Sequence, residues 1–152
     1  MKAARRPKER LNASECAYCS TSTSSDDSQT LFVEEEVGRL FCSESCIVSY
    51  FSPDIELLER EYFRGLSKED LSDPERSRLS QLRWKTLDHP HEIWREKTLT
   101  GDHRYTLVRE FTYGKQPLWS VCVSLMLRGE PSFLFIAFVT VNPELVESFR
   151  KG

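Results

Sequence analysis

The sequence predicts an α+β protein: an N-terminal four-cysteine knuckle, two helices, then an antiparallel β-meander of three to four strands with a C-terminal helix. Three observations predict it. Cys16, Cys19, Cys42 and Cys46 stand as two closely spaced pairs. Between residues 52 and 88 apolar side chains recur every three or four positions, the period of one helix face. After about residue 90 the period drops to two, the period of strands, and the links between these runs fall short of the dozen or more residues that a parallel crossover needs.

The chain is 152 residues long, room for one ordinary domain or two small units. With 39% hydrophobic and 30% charged residues it has the composition of a globular protein rather than a disordered one. A net charge of -3 argues against a whole-protein electrostatic grip on nucleic acid. There is no apolar run of about 18 residues, so no membrane-spanning helix is expected. Residues 1–13 carry Lys2, Arg5, Arg6, Lys8 and Arg10 with no apolar stretch behind them. They read as a basic flexible tail and not as a secretory signal, and a cytoplasmic location is expected. In that compartment five cysteines are not a disulfide framework.

Residues 14–51 read as one cysteine-bearing module. A serine-rich run from Ser20 to Ser28 has no apolar surface to bury and reads as loop. Thr30 to Val33 and Arg39 to Phe41 read as two short strands, with Gly38 as the turn residue before the second. The chain reads as helical from Ser43. Residues 52–88 form the helical segment: Ser52 and Pro53 suggest a second helix start, Ile55, Leu58, Tyr62 and Leu66 its apolar face, and Gly65 its stop. Asp73 and Pro74 repeat the cap-and-proline signature, with Leu79, Leu82 and Leu87 as the stripe.

Residues 89–152 hold the sheet and the last helix. Tyr105, Leu107, Arg109 and Phe111 alternate with Arg104, Thr106, Val108 and Glu110, and the run from Leu118 to Leu127 alternates likewise. Glu92 to Leu99 supplies a further strand. Glycines 101, 114 and 129 punctuate the runs as turns. Phe133 to Val141 is apolar on both faces apart from Thr140, which predicts a central strand covered on one side by helices, its other side needing a second layer, a partner chain or a groove. Asn142 and Pro143 cap a final helix through Leu145, Val146 and Phe149.

The cysteines carry the chemistry. Cys16 and Cys19 are separated by two residues, Cys42 and Cys46 by three, and the two pairs by twenty-two. A zinc ion takes four ligands at the corners of a tetrahedron, and such short spacings let both sulfurs of a pair face one ion. Two pairs fill the coordination sphere, so one structural Zn2+ per chain is expected, with no open position for catalysis. Four thiolates leave a net charge of about −2 on the site. Helix N-terminal amides after Cys42, with hydroxyls from Ser43 and Ser45, would offset it. With few large apolar residues in 14–51, metal binding would supply much of the folding free energy. Two disulfides fit neither compartment nor spacing, and a redox-active pair would sit beside a βαβ unit that this sequence lacks. An iron–sulfur cluster uses the same four ligands.

Cys16-Ala17-Tyr18-Cys19 followed by Leu40-Phe41-Cys42-Ser43-Glu44-Ser45-Cys46 resembles the small treble-clef-like zinc fingers of the TRASH, MYM and FCS types. Their text is C-x2-C, a gap, then an aromatic before C-S-x2-C opening a helix. The resemblance covers residues 14–51 and implies a zinc-stabilised module used for protein contacts, or for metal sensing.

Other candidates are weaker. Asp88, His89, Pro90, His91 and Glu92 place two histidines on one side of an extended segment, but no third metal ligand is evident and a solvated loop is the simpler reading. His103, beside Asp102 in a turn, reads as surface. Cys122 reads as a small buried hydrophobe. Trp84, Trp94 and Trp119 with Arg83, Arg95, Arg104 and Arg109 suggest stacking on nucleic acid, yet the acidic residues Glu34, Glu35, Glu36, Asp54, Glu56, Glu59 and Glu61 oppose it, and the tryptophans read as core or interface. No phosphate loop, nucleophile elbow or H-E-x-x-H is present. The expected function is therefore a zinc-binding protein-interaction or adaptor module, not an enzyme, with a protein partner or a second copy of itself. A metal- or redox-responsive regulator is the alternative, and a small enzyme using His89 and His91 the third reading.

Overall fold

A computed structural model describes residues 15–21, 32–33 and 38–151. The chain divides into two compact units, Met1–Pro53 and Asp54–Gly152. The expected basic tail, most of the serine-rich loop, Thr30, Leu31 and Glu34 to Glu36 lie outside the described residues.

In the first unit, β1 (Phe32–Val33) pairs antiparallel with β2 (Leu40–Phe41), Phe32 opposite Phe41 and Val33 opposite Leu40. Gly38 has φ +77°, a left-handed conformation that glycine adopts without penalty, and it turns the chain into β2. Helix α1 (Glu44–Gly65) follows. Ser43 caps it: its Oγ accepts the Cys46 N–H at 3.3 Å. The apolar content of this unit is small but focused. Phe41, Ile47 and Phe51 are buried, and the Tyr50 ring stands edge-on to Phe41 at 5.4 Å and to Phe51 at 4.9 Å.

Ser52 and Pro53 do not begin a new helix, contrary to the sequence reading: α1 continues through Pro53. Proline removes one hydrogen bond of the ladder and crowds the preceding turn. Pro53 is exposed, however, while Phe51 and Leu58 on the apolar stripe are buried. Their burial outweighs one lost bond. Gly65 does end the helix.

In the second unit, α2 (Asp73–Leu79) and α3 (Leu82–Asp88) precede the strands. These are two short helices where one stripe was expected. The Ser80 hydroxyl turns back to donate to the Ser77 carbonyl at 2.8 Å at the end of α2. The cap of α2 also lies one residue earlier than expected. Ser72, not Asp73, is the N-cap: its Oγ accepts the Glu75 N–H at 3.3 Å, and Glu75 accepts the Ser72 N–H at 3.0 Å.

Strands β3 (Glu92–Lys97), β4 (His103–Tyr113), β5 (Gln116–Leu127) and β6 (Glu130–Thr140) form one antiparallel sheet in that order, and α4 (Pro143–Phe149) closes the chain. The β5–β6 turn has φ +56° at Arg128 and +80° at Gly129, the primed turn that matches strand twist. Leu107, Cys122 and Ala137 lie side by side across β4, β5 and β6 and pack with Leu87 of α3. Leu118 and Val139 pack with Leu71, Leu79 and Leu82 on the same face. Phe138 points the other way, to Phe149 of α4 at 5.0 Å and Tyr62 of α1 at 4.8 Å.

This corrects the place of the last strand. β6 is an edge, and the strand buried along nearly its whole length with a neighbour on each side is β5. The apolarity of β6 on both faces reflects helices above and below it, and says nothing about a hydrogen-bonded neighbour on each edge. His103, expected at the surface, is half-buried at the start of β4, and Asp102 beside it is fully buried, its N–H bonded to Thr98 Oγ1 at 3.0 Å. Among the described residues no helix is long and apolar enough to cross a membrane.

Candidate metal centre

Each cysteine pair comes from a different local device. Cys16 and Cys19 sit on a tight turn, where the Ser20 N–H donates to the Cys16 carbonyl at 3.0 Å and the Cys16 N–H to the Thr21 carbonyl at 2.9 Å. Ser20 reverses the chain at φ +67°, a left-handed conformation costing a non-glycine residue on the order of 1 kcal/mol. The Ala17 N–H donates to the Leu40 carbonyl at 2.8 Å, which lays this turn against β2. Cys42 directly follows β2 and Cys46 lies in the first turn of α1, so the strand–helix junction delivers the second pair.

The four sulfurs lie within 4.8 Å of one another. Cys19 Sγ is 3.6 Å from Cys42 Sγ, and Cys42 Sγ is 3.5 Å from Cys46 Sγ. Metal–sulfur bonds of about 2.3 Å in a tetrahedron put the sulfurs about 3.8 Å apart, whereas a disulfide holds them at about 2.05 Å. The donor set therefore fits a single metal ion shared by four thiolates, and all four cysteines are free thiols. Cys16 is buried, Cys42 and Cys46 are half-buried, and Cys19 is exposed.

The electrostatics of the cluster are uneven. Burial works to raise the Cys16 thiol, but the backbone N–H groups of Cys19, Cys42 and Tyr18 overcome it and hold the pKa near 6. The Thr21 hydroxyl, 3.1 Å from Cys19 Sγ, leads the effects that lower Cys19. Cys42 is pushed up to about 12 by its neighbours, Cys46 first and then Cys19. Four sulfurs this close cannot all carry charge without a cation among them. Thr21 is the contributor that sequence reasoning missed, because nothing marks one hydroxyl in a serine- and threonine-rich run as lying beside a sulfur.

A closed tetrathiolate built from a turn and a strand–helix junction is the site of a four-cysteine zinc-finger-type module. The family model of the MYM-type zinc finger with FCS sequence motif matches residues 10–50, a segment that contains all four cysteines and about a quarter of the chain. No match was found among curated proteins or among solved structures.

The other candidates do not come together. His89 ends α3, exposed, with Nδ1 2.7 Å from the Asp88 carbonyl. His91 Nδ1 accepts the Glu110 N–H at 3.2 Å. The Glu92 carboxylate is bound to Arg150 and to Trp94 Nε1. Among the described residues the four cysteines alone gather three or more metal-ligating side chains. Cys122 is buried in β5, and burial pushes its thiol up to about 12, so it is inert. Trp84 is exposed rather than core. Arg104 is buried against Asp54 and Glu96, unable to offer its charge to a nucleic acid.

Proposed function

We propose that the chain binds one zinc ion through Cys16, Cys19, Cys42 and Cys46 as a closed structural centre, and that it acts as a protein-interaction module rather than as an enzyme. The observation that carries this is the convergence of four sulfurs from both ends of the module. A tetrathiolate leaves no coordination position for water or substrate, so the ion's contribution is to hold the turn, β2 and the start of α1 together. The few apolar residues of the unit make metal binding the main source of its folding free energy. Elemental analysis of the purified chain tests the first part. One zinc per chain, lost in Cys42→Ser together with amide protection near residues 15–21 and 38–51, is expected. Four free thiols, no metal and an intact fold would sink it.

The interaction role is tested by comparing proteins that co-purify with wild type and with Cys42→Ser from cytoplasmic extracts, and by light scattering for self-association. Partners held by both alike would remove the role from the zinc module. The exposure of Cys19 favours a second reading, a metal- or oxidant-responsive switch, since an accessible sulfur is open to chelators and oxidants. It requires zinc affinity near cellular free levels, and a site that resists strong chelators rules it out.

A further inference from the structure

A cavity of about 110 Å³ opens beside β6, lined by Arg76 and Ser80 of α2 and its end, Arg83 of α3, Ser120 of β5, and Phe138 and Val139 of β6. Three of its buried polar atoms have no oxygen or nitrogen partner among the described residues: Arg76 Nε, Arg83 Nε and Ser120 Oγ. Buried polar groups are nearly always satisfied, and an orphan costs about 1–3 kcal/mol, more for a charged group. Three orphans around one cavity are therefore a signature of something that belongs between them.

The charges favour an anion. The Arg83 guanidinium has neither ion pair nor hydrogen bond among the described residues. It is steadied over the Trp84 ring at 5.0 Å. Arg76 Nη1 pairs with Asp73 at 3.0 Å, but the Asp73 side chain is 97% exposed, so the pair lies on the solvent side and the buried Nε is left over. The nearby Asp70 is occupied: it accepts the Val141 N–H at 3.0 Å and the Thr140 hydroxyl. Two guanidinium Nε–H donors and a serine hydroxyl match the oxygens of a carboxylate or phosphate. Phe138 and Val139 supply an apolar wall.

We propose that this cavity binds the oxyanion head of a small organic ligand, a carboxylate or a phosphate monoester with an apolar body, held by Arg76, Arg83 and Ser120. All its residues belong to the second unit, and none of them is among the four cysteines.

The test uses the full metal-loaded chain and follows the arginine Nε–Hε resonances at constant ionic strength. Phenyl phosphate, benzoate, inorganic phosphate and neutral benzamide are the probes. Saturable shifts of Arg76 and Arg83, with Arg78 unmoved, are expected from the anions and not from benzamide. Stronger binding of phenyl phosphate assigns a phosphoryl ligand; stronger binding of benzoate assigns a carboxylate. Arg83→Gln should weaken binding by about tenfold or more, the loss of one charge-assisted hydrogen bond. Ser120→Ala should weaken it while keeping the fold, since among the described residues the hydroxyl meets only the weakly bonding Cys122 thiol. No saturation below about 10 mM by any anion would mean that the cavity holds only water, and binding in both variants as tight as in wild type would place the anion elsewhere; either overturns the proposal.

Discussion

Arg150 and Glu92 are joined by two parallel hydrogen bonds, Nε to Oε1 and Nη2 to Oε2, each 2.8 Å long. The end of the chain after α4 is thereby pinned to the first residue of β3. A planar guanidinium matches a carboxylate in this geometry, so the pair is stronger than an ordinary surface salt bridge. Arg150 holds the Glu92 carboxyl below its usual range. A carboxyl whose pKa falls on folding contributes stability above its unfolded value, and loses it as the pH drops through the folded value. Glu92→Gln should destabilise by roughly 1 kcal/mol at neutral pH. That difference should shrink at an acid pH below the ordinary carboxylate range, as the folded carboxyl takes up its proton. Urea unfolding of both proteins at the two pH values checks it; an unchanged difference would show that charge is not the cause.

Asp54 is fully buried and accepts the Leu99 N–H on Oδ1 at 2.9 Å, with Arg104 Nη1 3.7 Å from the same oxygen. Asp54→Ala would leave a buried amide and a nearly buried guanidinium short of an acceptor. It should cost about 2 kcal/mol or more. Asp54→Asn keeps the acceptor for Leu99 and should cost clearly less. Burial raises the Asp54 pKa, which shows that its charge is held against a desolvation penalty. Equal losses in the two variants would place the contribution in the charge and not in the hydrogen bond.

Metal affinity should rise with pH. The ion binds thiolates, and Cys42 in the metal-free cluster is pushed up to about 12, so its proton must leave on binding at any ordinary pH. Cys16, held near 6, is already largely ionised at neutrality. The logarithm of the zinc association constant should therefore climb by about one or more per pH unit between about pH 6 and 8. Competition with a chromophoric chelator measures this. A flat profile would contradict proton displacement from Cys42.

Gly65 ends α1 with Leu145 of α4 close above it. A Cβ placed there would meet Leu145 Cδ1 at 2.7 Å, and Leu145 is itself buried. Gly65→Ala should cost about 1–3 kcal/mol through overpacking. Leu145→Ala in the same chain should make the alanine at 65 nearly neutral, since the clash is then gone. Thermal unfolding of the two single variants and the double variant gives the coupling. Additive effects would mean that the close approach is not the reason for glycine.

What the sequence determined by itself was local. Spacing within each cysteine pair is a short-range property, and so the four ligands were legible without a fold. Period-two and period-3.6 patterns located the strands and most of the helices, and Gly114 and Gly129 marked their turns, because turn chemistry acts over a few residues. The antiparallel meander followed from short connections alone.

What needed the tertiary structure was everything that depends on distant neighbours. Pro53 reads as a start in isolation, but burial of Phe51 and Leu58 carries α1 through it. The apolar faces of β6 read as a central strand, but they answer to helices on two sides and not to a second hydrogen-bonded neighbour. Gly65 was visible as a stop, yet what a side chain there would meet is Leu145, eighty residues later. Arg76, Arg83 and Ser120 have no motif at all. They become a cavity only when α2, α3 and the sheet pack, since donors far apart in sequence share a ligand only through the fold.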